Sequence, residues 1–253
     1  LEIKDQVVLV TGASRGLGAE IAKAFGGQGA HVIVNYYQNE KKAKEVVEHI
    51  GKDAIAVQAD ITQKKQVLEM FEQAEIQFKG PVTTVINNAL VNFEFDAVNR
   101  KTADAINWED YHTQFEGSIK AALHTTQAAI EGMAKSNFGR IINIGTNLFQ
   151  NPVVPYHDYN ASKAALVGFT RSMASELGEK GITVNMVSGG LLHKTDASAS
   201  TPDSVFELIK ANTPLKRVTT PEELADATLF FASPWSRAIT GQNLVVDGGL
   251  VMD

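Results

Sequence analysis

Apolar residues return along this chain in two alternating rhythms. Short β-branched runs at Val7–Thr11, His31–Asn35, Ala54–Ala59, Thr83–Asn87, Arg140–Ile144, Thr183–Val187 and Leu244–Val246 read as seven strands. The longer amphipathic segments between them predict helices over Gly16–Gly27, Glu40–Gly51, Lys64–Lys79, Trp108–Lys135, Tyr156–Leu177, Asp203–Ala211 and Pro221–Ala232. Strand and helix alternate to the end, which suits parallel strands joined by crossover helices. The expected fold is therefore α/β: a doubly wound, seven-stranded parallel sheet with helices on both faces. Start signals support several helices, among them Thr220-Pro221-Glu222-Glu223, where a capping hydroxyl precedes proline, and Thr62 ahead of Gln63-Lys64.

No repeat, low-complexity tract or linker interrupts this rhythm, so residues 1–253 are expected to form one domain. Two stretches are irregular, Leu90–Asn107 and Ser188–Thr201, and both follow strands. Ligands of a doubly wound sheet sit at the carboxyl ends of its strands, so these stretches are candidate walls and lid of a site.

Composition narrows the classes. Apolar residues at 44% and charged residues at 21% fit a globular protein with a substantial core rather than a disordered one. A net charge of −6 argues against a nucleic-acid partner, which would call for a basic face. The absence of cysteine excludes disulfides, thiolate nucleophiles and cysteine metal sites. His31, His49, His112, His124, His157 and His193 have no ligand spacing, so no metal is expected. His157 reads as a polar residue at a helix start. No apolar stretch reaches membrane-spanning length, and Leu1-Glu2-Ile3-Lys4-Asp5 lacks the basic start of a signal peptide, so a cytoplasmic protein without a membrane partner is expected.

The segment Gly12-Ala13-Ser14-Arg15-Gly16-Leu17-Gly18 satisfies two patterns at once. Gly12, Ser14 and Gly16 match the nucleophile elbow of a hydrolase; Gly12, Gly16 and Gly18 match a phosphate-holding turn. An elbow needs an oxyanion-hole donor from an upstream loop, and the 13 residues before Ser14 form only one strand. A strand, a glycine turn and a helix N-terminus are what an anion site requires. The spacing G-x-x-x-G-x-G departs from the commoner G-x-G-x-x-G, so the loop alone leaves an ordinary strand-to-helix turn open.

Six motifs in one order decide further: TGASRGLG at 11–18, NNAL at 87–90, GRIINI at 139–144, YNASK at 159–163, GITVNMV at 181–187 and TGQNLVVDGG at 240–249. Together they resemble the short-chain dehydrogenase/reductase family over essentially the whole chain, with the nearest likeness to bacterial 3-oxoacyl-acyl-carrier-protein reductases. The resemblance implies a single Rossmann-type domain, a homotetramer built on the two long helices, and a nicotinamide dinucleotide. It assigns cofactor contacts to Gly12, Ser14, Arg15, Gly16, Leu17 and Gly18, to Asn35 and Tyr36, to Asp60 and Ile61 near the adenine, to Asn88 and Ala89, to Tyr159 and Lys163, and to Gly189, Gly190 and Leu192. Three positions depart from the family pattern: Leu90 replaces a glycine, Gly189 a proline, and Ser118 an asparagine. Glycine at 189 is expected to loosen the loop that leads to Thr195.

Tyr159 and Lys163 are four residues apart on a predicted helix and share a face. An adjacent ammonium is expected to lower the tyrosine pKa, making the pair a general acid for reduction and a base for oxidation. Spacing alone would equally describe a surface pair. Thr146, 13 residues before Tyr159, offers a hydroxyl to a substrate oxygen, though a strand-end threonine also caps a following turn. Ser118 is expected to bond a carbonyl one turn earlier, open the helix with help from Gly117, and preserve the proton relay that the family asparagine serves.

The expected reaction is NADPH-dependent reduction of a carbonyl, with a 3-oxoacyl thioester a candidate substrate; an NAD-dependent alcohol or sugar dehydrogenase and a non-catalytic dinucleotide-binding regulator are the alternatives. NADP(H) is favoured because Arg15 can grip a 2′-phosphate while Asn35-Tyr36 lacks the acid that would bind a 2′-hydroxyl. An acyl carrier protein is a candidate partner, for which Lys135, Arg140 and Lys180 would supply a basic rim. Phe93, Phe95, Phe149, Val153 and Tyr156 either line an apolar pocket or anchor loops in the core.

Overall fold

All seven strands form in the computed structural model, which describes residues 1–93, 95–193, 195, 198 and 201–252. They are β1 (Val7–Val10), β2 (His31–Tyr36), β3 (Ala54–Gln58), β4 (Thr84–Asn87), β5 (Gly139–Thr146), β6 (Ile182–Gly189) and β7 (Asn243–Val246). Every pairing is parallel, in the order β3-β2-β1-β4-β5-β6-β7. The order reverses between β1 and β4, which opens a crevice at their carboxyl ends. β5 and β6 outlast their apolar runs because the ladder continues through Gly145↔Ser188 and Thr146↔Gly189.

Alternate residues of the strands feed two cores. Val8, Val10, Val32 and Val34 pack on one face beneath α1 (Gly16–Gly27), α2 (Glu40–Ile50) and α8 (Pro221–Ala232), with Ile21, Phe25, Val46 and Phe231 among the buried helix residues. Leu9, Ile33, Val85 and Ile141 pack on the other beneath α3 (Lys64–Phe78), α5 (Ala121–Lys135) and α6 (His157–Leu177), against Val67, Met70, Met133 and Leu177. Period-two alternation of the strands thus decides which helix each residue meets. α4 (Trp108–Phe115) and α7 (Asp203–Asn212) complete the set.

The predicted helix over 108–135 runs on without a gap, and within it residues 116–120 wind as one π turn between α4 and α5, an opening at the place expected around Gly117 and Ser118. Gly117 leaves room for Val91 here: a Cβ there would lie 2.7 Å from Cβ of Val91. Two local expectations change. Thr62 does not cap α3; Gln63 holds that position, and both the amide and the hydroxyl of Thr62 donate to Oδ1 of Asp60, at 2.9 and 2.7 Å. A carboxylate at the strand end is simply the stronger acceptor within reach. Gly189 does not begin a loose loop, because it closes β6 between Thr146 and Val246. Thr220, by contrast, forms the reciprocal capping box with Glu223 ahead of Pro221.

Candidate active site

The glycine loop sits at the reversal point. Gly12 adopts φ +62°, and a Cβ there would meet Cα of Ala89 at 2.9 Å; a Cβ on Gly18 would lie 2.5 Å from both the Gly12 carbonyl and Nδ2 of Asn88. These contacts require glycine and lock the β1–α1 turn onto the β4 loop. Thr11 Oγ1 accepts from the amides of Asn88 and Ala89 at 2.9 and 3.0 Å, and Asn88 Nδ2 donates to the Thr11 carbonyl at 2.9 Å. α1 opens at Gly16 with Arg15 exposed before it and no side chain capping its first amides. Those free donors and the bare surface around Gly16, where a Cβ would touch nothing, fit a dinucleotide phosphate.

Asn35 works from behind this loop. Its Oδ1 accepts from the Gly12 amide at 3.1 Å and its Nδ2 donates to the Ala59 carbonyl at 3.1 Å, with the side chain buried. Its side-chain amide is used in fixing the glycine turn. Tyr36 is also buried, leaving the exposed Tyr37 at the open end of β2. Asp60 directs Oδ1 to Thr62, as described, and its amide donates to Gln66. Leu192 packs on the core beside Gly189, and a Cβ on Gly190 would press on Nδ2 of Asn147 at 2.9 Å. Asn147 in turn donates to Asp247 at 2.8 Å, a link across the carboxyl ends of β5 and β7 that no motif announced. Thr195 pairs with Ser198 in a local turn.

Tyr159, Lys163 and Thr146 come together on the far side of β4. Lys163 Nζ stands 5.9 Å from the centre of the Tyr159 ring and donates to the Ile144 carbonyl at 2.8 Å. Thr146 hydrogen-bonds Tyr159 through its side chain and also accepts from the Leu148 amide at 3.3 Å, so it serves the site and caps the next turn. Both ionisable groups are buried, with 6% and 5% of their surface exposed. Burial pushes the Tyr159 phenol up to about 12, opposed by the Thr146 hydrogen bond and assisted by Tyr156, and pulls Lys163 down to about 8. The expected lowering of Tyr159 by Lys163 is not found. Removal from water is the largest influence on both groups.

Ser118 lies in the π turn, with Oγ 3.3 Å from Oγ of Ser162, which donates to the Tyr159 carbonyl at 2.9 Å. The expected bond back to a carbonyl of its own helix is replaced by this contact with the hydroxyl that α6 offers. Ser118 and Lys163 border one cavity of about 10 Å³, together with Ile61, Asn87 and Ala89. That is room for a single water.

Other expectations separate. Phe93, Phe95 and Tyr156 gather around Tyr159, whereas Phe149 packs against a small core of Ala122, Leu166 and Met186, and Val153 is exposed. Lys135, Arg140 and Lys180 do not form the expected rim of unpaired basic groups. Lys135 and Lys180 pair with Glu131 and Glu179, and Arg140 is buried over the Phe138 ring at the opposite end of β5 from Thr146. Among the described residues, no helix is long and apolar enough to cross a membrane.

Comparison with known proteins agrees with this geometry. A short-chain dehydrogenase family model described as enoyl-(acyl carrier protein) reductase matches residues 12–251. The chain is 36% identical over 253 residues to a 3-oxoacyl-[acyl-carrier-protein] reductase of Synechocystis, covering 98% of this chain and 97% of that protein. It is 31% identical over 252 residues to the corresponding reductase of Vibrio cholerae, covering both in full. A solved structure provisionally named as a gluconate dehydrogenase, from Agrobacterium tumefaciens, superposes with a TM-score of 0.88 at 27% identity over 99% of this chain and 98% of its own. With the Tyr159–Lys163 pair beside a glycine loop at the reversal of a parallel sheet, the chain belongs to the short-chain dehydrogenase/reductase family, oxidoreductases acting on carbonyl or alcohol groups.

Proposed function

We propose that the protein reduces a carbonyl to an alcohol with NADPH, a 3-oxoacyl thioester being one candidate substrate. The observation that carries this reading is the Tyr159 hydroxyl, kept protonated by burial and tied to Thr146, with Lys163 across its ring. A phenol held near 12 is a proton donor throughout the neutral range, which suits the reductive direction. Bound NADPH supplies the hydride to the carbonyl carbon. Tyr159 gives its proton to the carbonyl oxygen, Thr146 steadies that oxygen as charge develops, and Lys163 holds the nicotinamide ribose and returns a proton toward Tyr159. Gly12, Gly16, Leu17 and Gly18 would receive the pyrophosphate at the start of α1, with Arg15 toward the 2′-phosphate.

NADPH oxidation across a panel of 3-oxoacyl thioesters, ketones, aldehydes and sugars tests the reading. Turnover is expected with at least one carbonyl, and Tyr159→Phe should abolish it while NADPH affinity stays within about two-fold, since only the proton donor is lost. NADPH binding without any turnover would favour a regulatory dinucleotide-binding protein. The likeness to the gluconate dehydrogenase structure supports a second reading, oxidation of a sugar acid with NAD, which a preference for NADH would mark.

A further inference from the structure

The loop after β4 turns back and covers the proton donor. Phe93 lies nearly parallel to the Tyr159 ring, with centroids 4.6 Å apart and planes inclined by 21°. Phe95 meets Tyr159 edge-on at 5.3 Å and 79°, and both phenylalanines stand edge-on to Tyr156, at 5.3 and 5.8 Å. This placement is anchored immediately upstream. Gln114, itself buried, donates Nε2 to the carbonyls of Val91 and Asn92 at 3.2 and 3.4 Å, Asn92 turns the chain at φ +49°, and Val91 fills the space above Gly117.

The consequence for a substrate is steric. The cavity on the Lys163 side of the site holds about 10 Å³, whereas pockets for small organic ligands run to roughly 300 Å³ or more. Phe93 occupies one face of the Tyr159 ring, and a substrate group seated on that face takes its place. The vacated slot is then bordered by the face of Tyr159 and by the Phe95 and Tyr156 rings roughly at right angles to it, a surrounding that ring quadrupoles satisfy with another flat ring. A flexible chain recovers only part of that contact, and a polyhydroxylated acid would leave its hydroxyls desolvated and unpaired there. The carboxylate of Asp96 is also felt at Tyr156 more strongly than the Arg100 cation, an unfavourable field for an anionic sugar acid.

We infer that the substrate carries its carbonyl next to a flat aromatic or conjugated group, which replaces the Phe93 ring over Tyr159, and that Phe95, which remains beside the slot, is a specificity-determining residue. This rests on the carbonyl reduction at Tyr159 proposed above. The experiment compares kcat/KM for propiophenone, a straight-chain 3-oxoacyl thioester of the same carbon number, and a keto-sugar acid, in the unmodified protein and in Phe95→Leu, Phe95→Tyr and Phe93→Leu. Propiophenone should be favoured by about ten-fold over the linear substrate, the scale of one good aromatic contact. Phe95→Leu, similar in bulk but not flat, should bring the ratio close to one mainly through KM, and Phe95→Tyr should keep it; Phe93→Leu, which only eases the displacement common to both substrates, should leave the ratio in place. Equal or better use of the linear thioester, or a ratio that Phe95→Leu does not change, overturns the inference while carbonyl reduction stands. If NADPH binds and no carbonyl is reduced, the reaction reading fails, and calorimetric binding of propiophenone to the NADP+-loaded protein decides: tighter binding than the linear compound, weakened by Phe95→Leu, supports the aromatic slot, and no difference overturns it.

Discussion

Burial acts in opposite directions on Tyr159 and Lys163, and the pH dependence follows from that. Lys163, pulled down to about 8, carries its charge below that pH and loses it above. Tyr159, pushed up to about 12, keeps its proton across the same interval. Reductive kcat/KM should therefore be level on the acid side and fall as pH rises through about 8, and Lys163→Met should remove that limb along with most of the rate. A profile of NADPH oxidation that stays flat to about pH 10 would contradict this assignment. At the other end of the cofactor, Arg15 stands exposed at the threshold of α1. Arg15→Ala should weaken NADPH by about ten-fold or more, the loss of one charge-assisted contact, and leave NADH almost unchanged. Fluorescence titration of both cofactors checks it, and equal affinities in the unmodified protein would remove the basis for NADPH preference.

The π turn between α4 and α5 shows what one sequence can and cannot disclose at the scale of elements. An opening at Gly117-Ser118 is readable from those two residues, whereas the Ser162 hydroxyl that Ser118 meets and the Val91 side chain beside Gly117 are distant in sequence. The same holds for Asn35, which reads as a strand-end polar residue and becomes a buried brace only because Gly12 and Ala59 lie on either side. Strand number, the glycine turn, the Thr220 capping box and the Tyr159–Lys163 face were legible because each is written in neighbouring residues. The rings over Tyr159 were half legible: Phe93, Phe95 and Tyr156 were suspected, but an irregular loop carries no period to say which residues it folds inward. The π turn can be tested directly. Gly117→Ala places a Cβ 2.7 Å from Val91 and should cost about 1–3 kcal/mol of stability, typical of overpacking, measured by urea unfolding. Ser118→Ala leaves the turn intact and should slow turnover only modestly, because a water in the adjoining cavity can still be held by backbone carbonyls. A loss as complete as that of Tyr159→Phe would instead make the Ser118 hydroxyl indispensable.

Assembly is decided on surfaces that the fold leaves flat. On α6, Ala164, Gly168 and Ser172 recur every four residues, and a Cβ at Gly168 would touch nothing, so this side of the helix is a smooth strip against which a second backbone can lie closely. Trp108 is 72% exposed while stacked on Tyr111 at the start of α4, beside the same helix. At the far edge of the sheet, β7 has a neighbour on one side only and exposes Leu244, with Trp235 bare nearby in sequence at 82% exposure. A closed tetramer with two-fold axes needs at least two self-complementary patches, and we propose the α4–α6 face and the β7 edge, which lie at different places on the molecule, for that role. Each would have to cover about 1,200 Å² or more to be stable. Light scattering at micromolar concentration should therefore return four times the chain mass of 27.3 kDa. Gly168→Arg puts a long charged side chain on the smooth strip without disturbing the core, so it should halve the assembly while each chain keeps its fold by circular dichroism. A monomer mass for the unmodified protein would sink the tetramer, and an unchanged tetramer in Gly168→Arg would move the interface off α6.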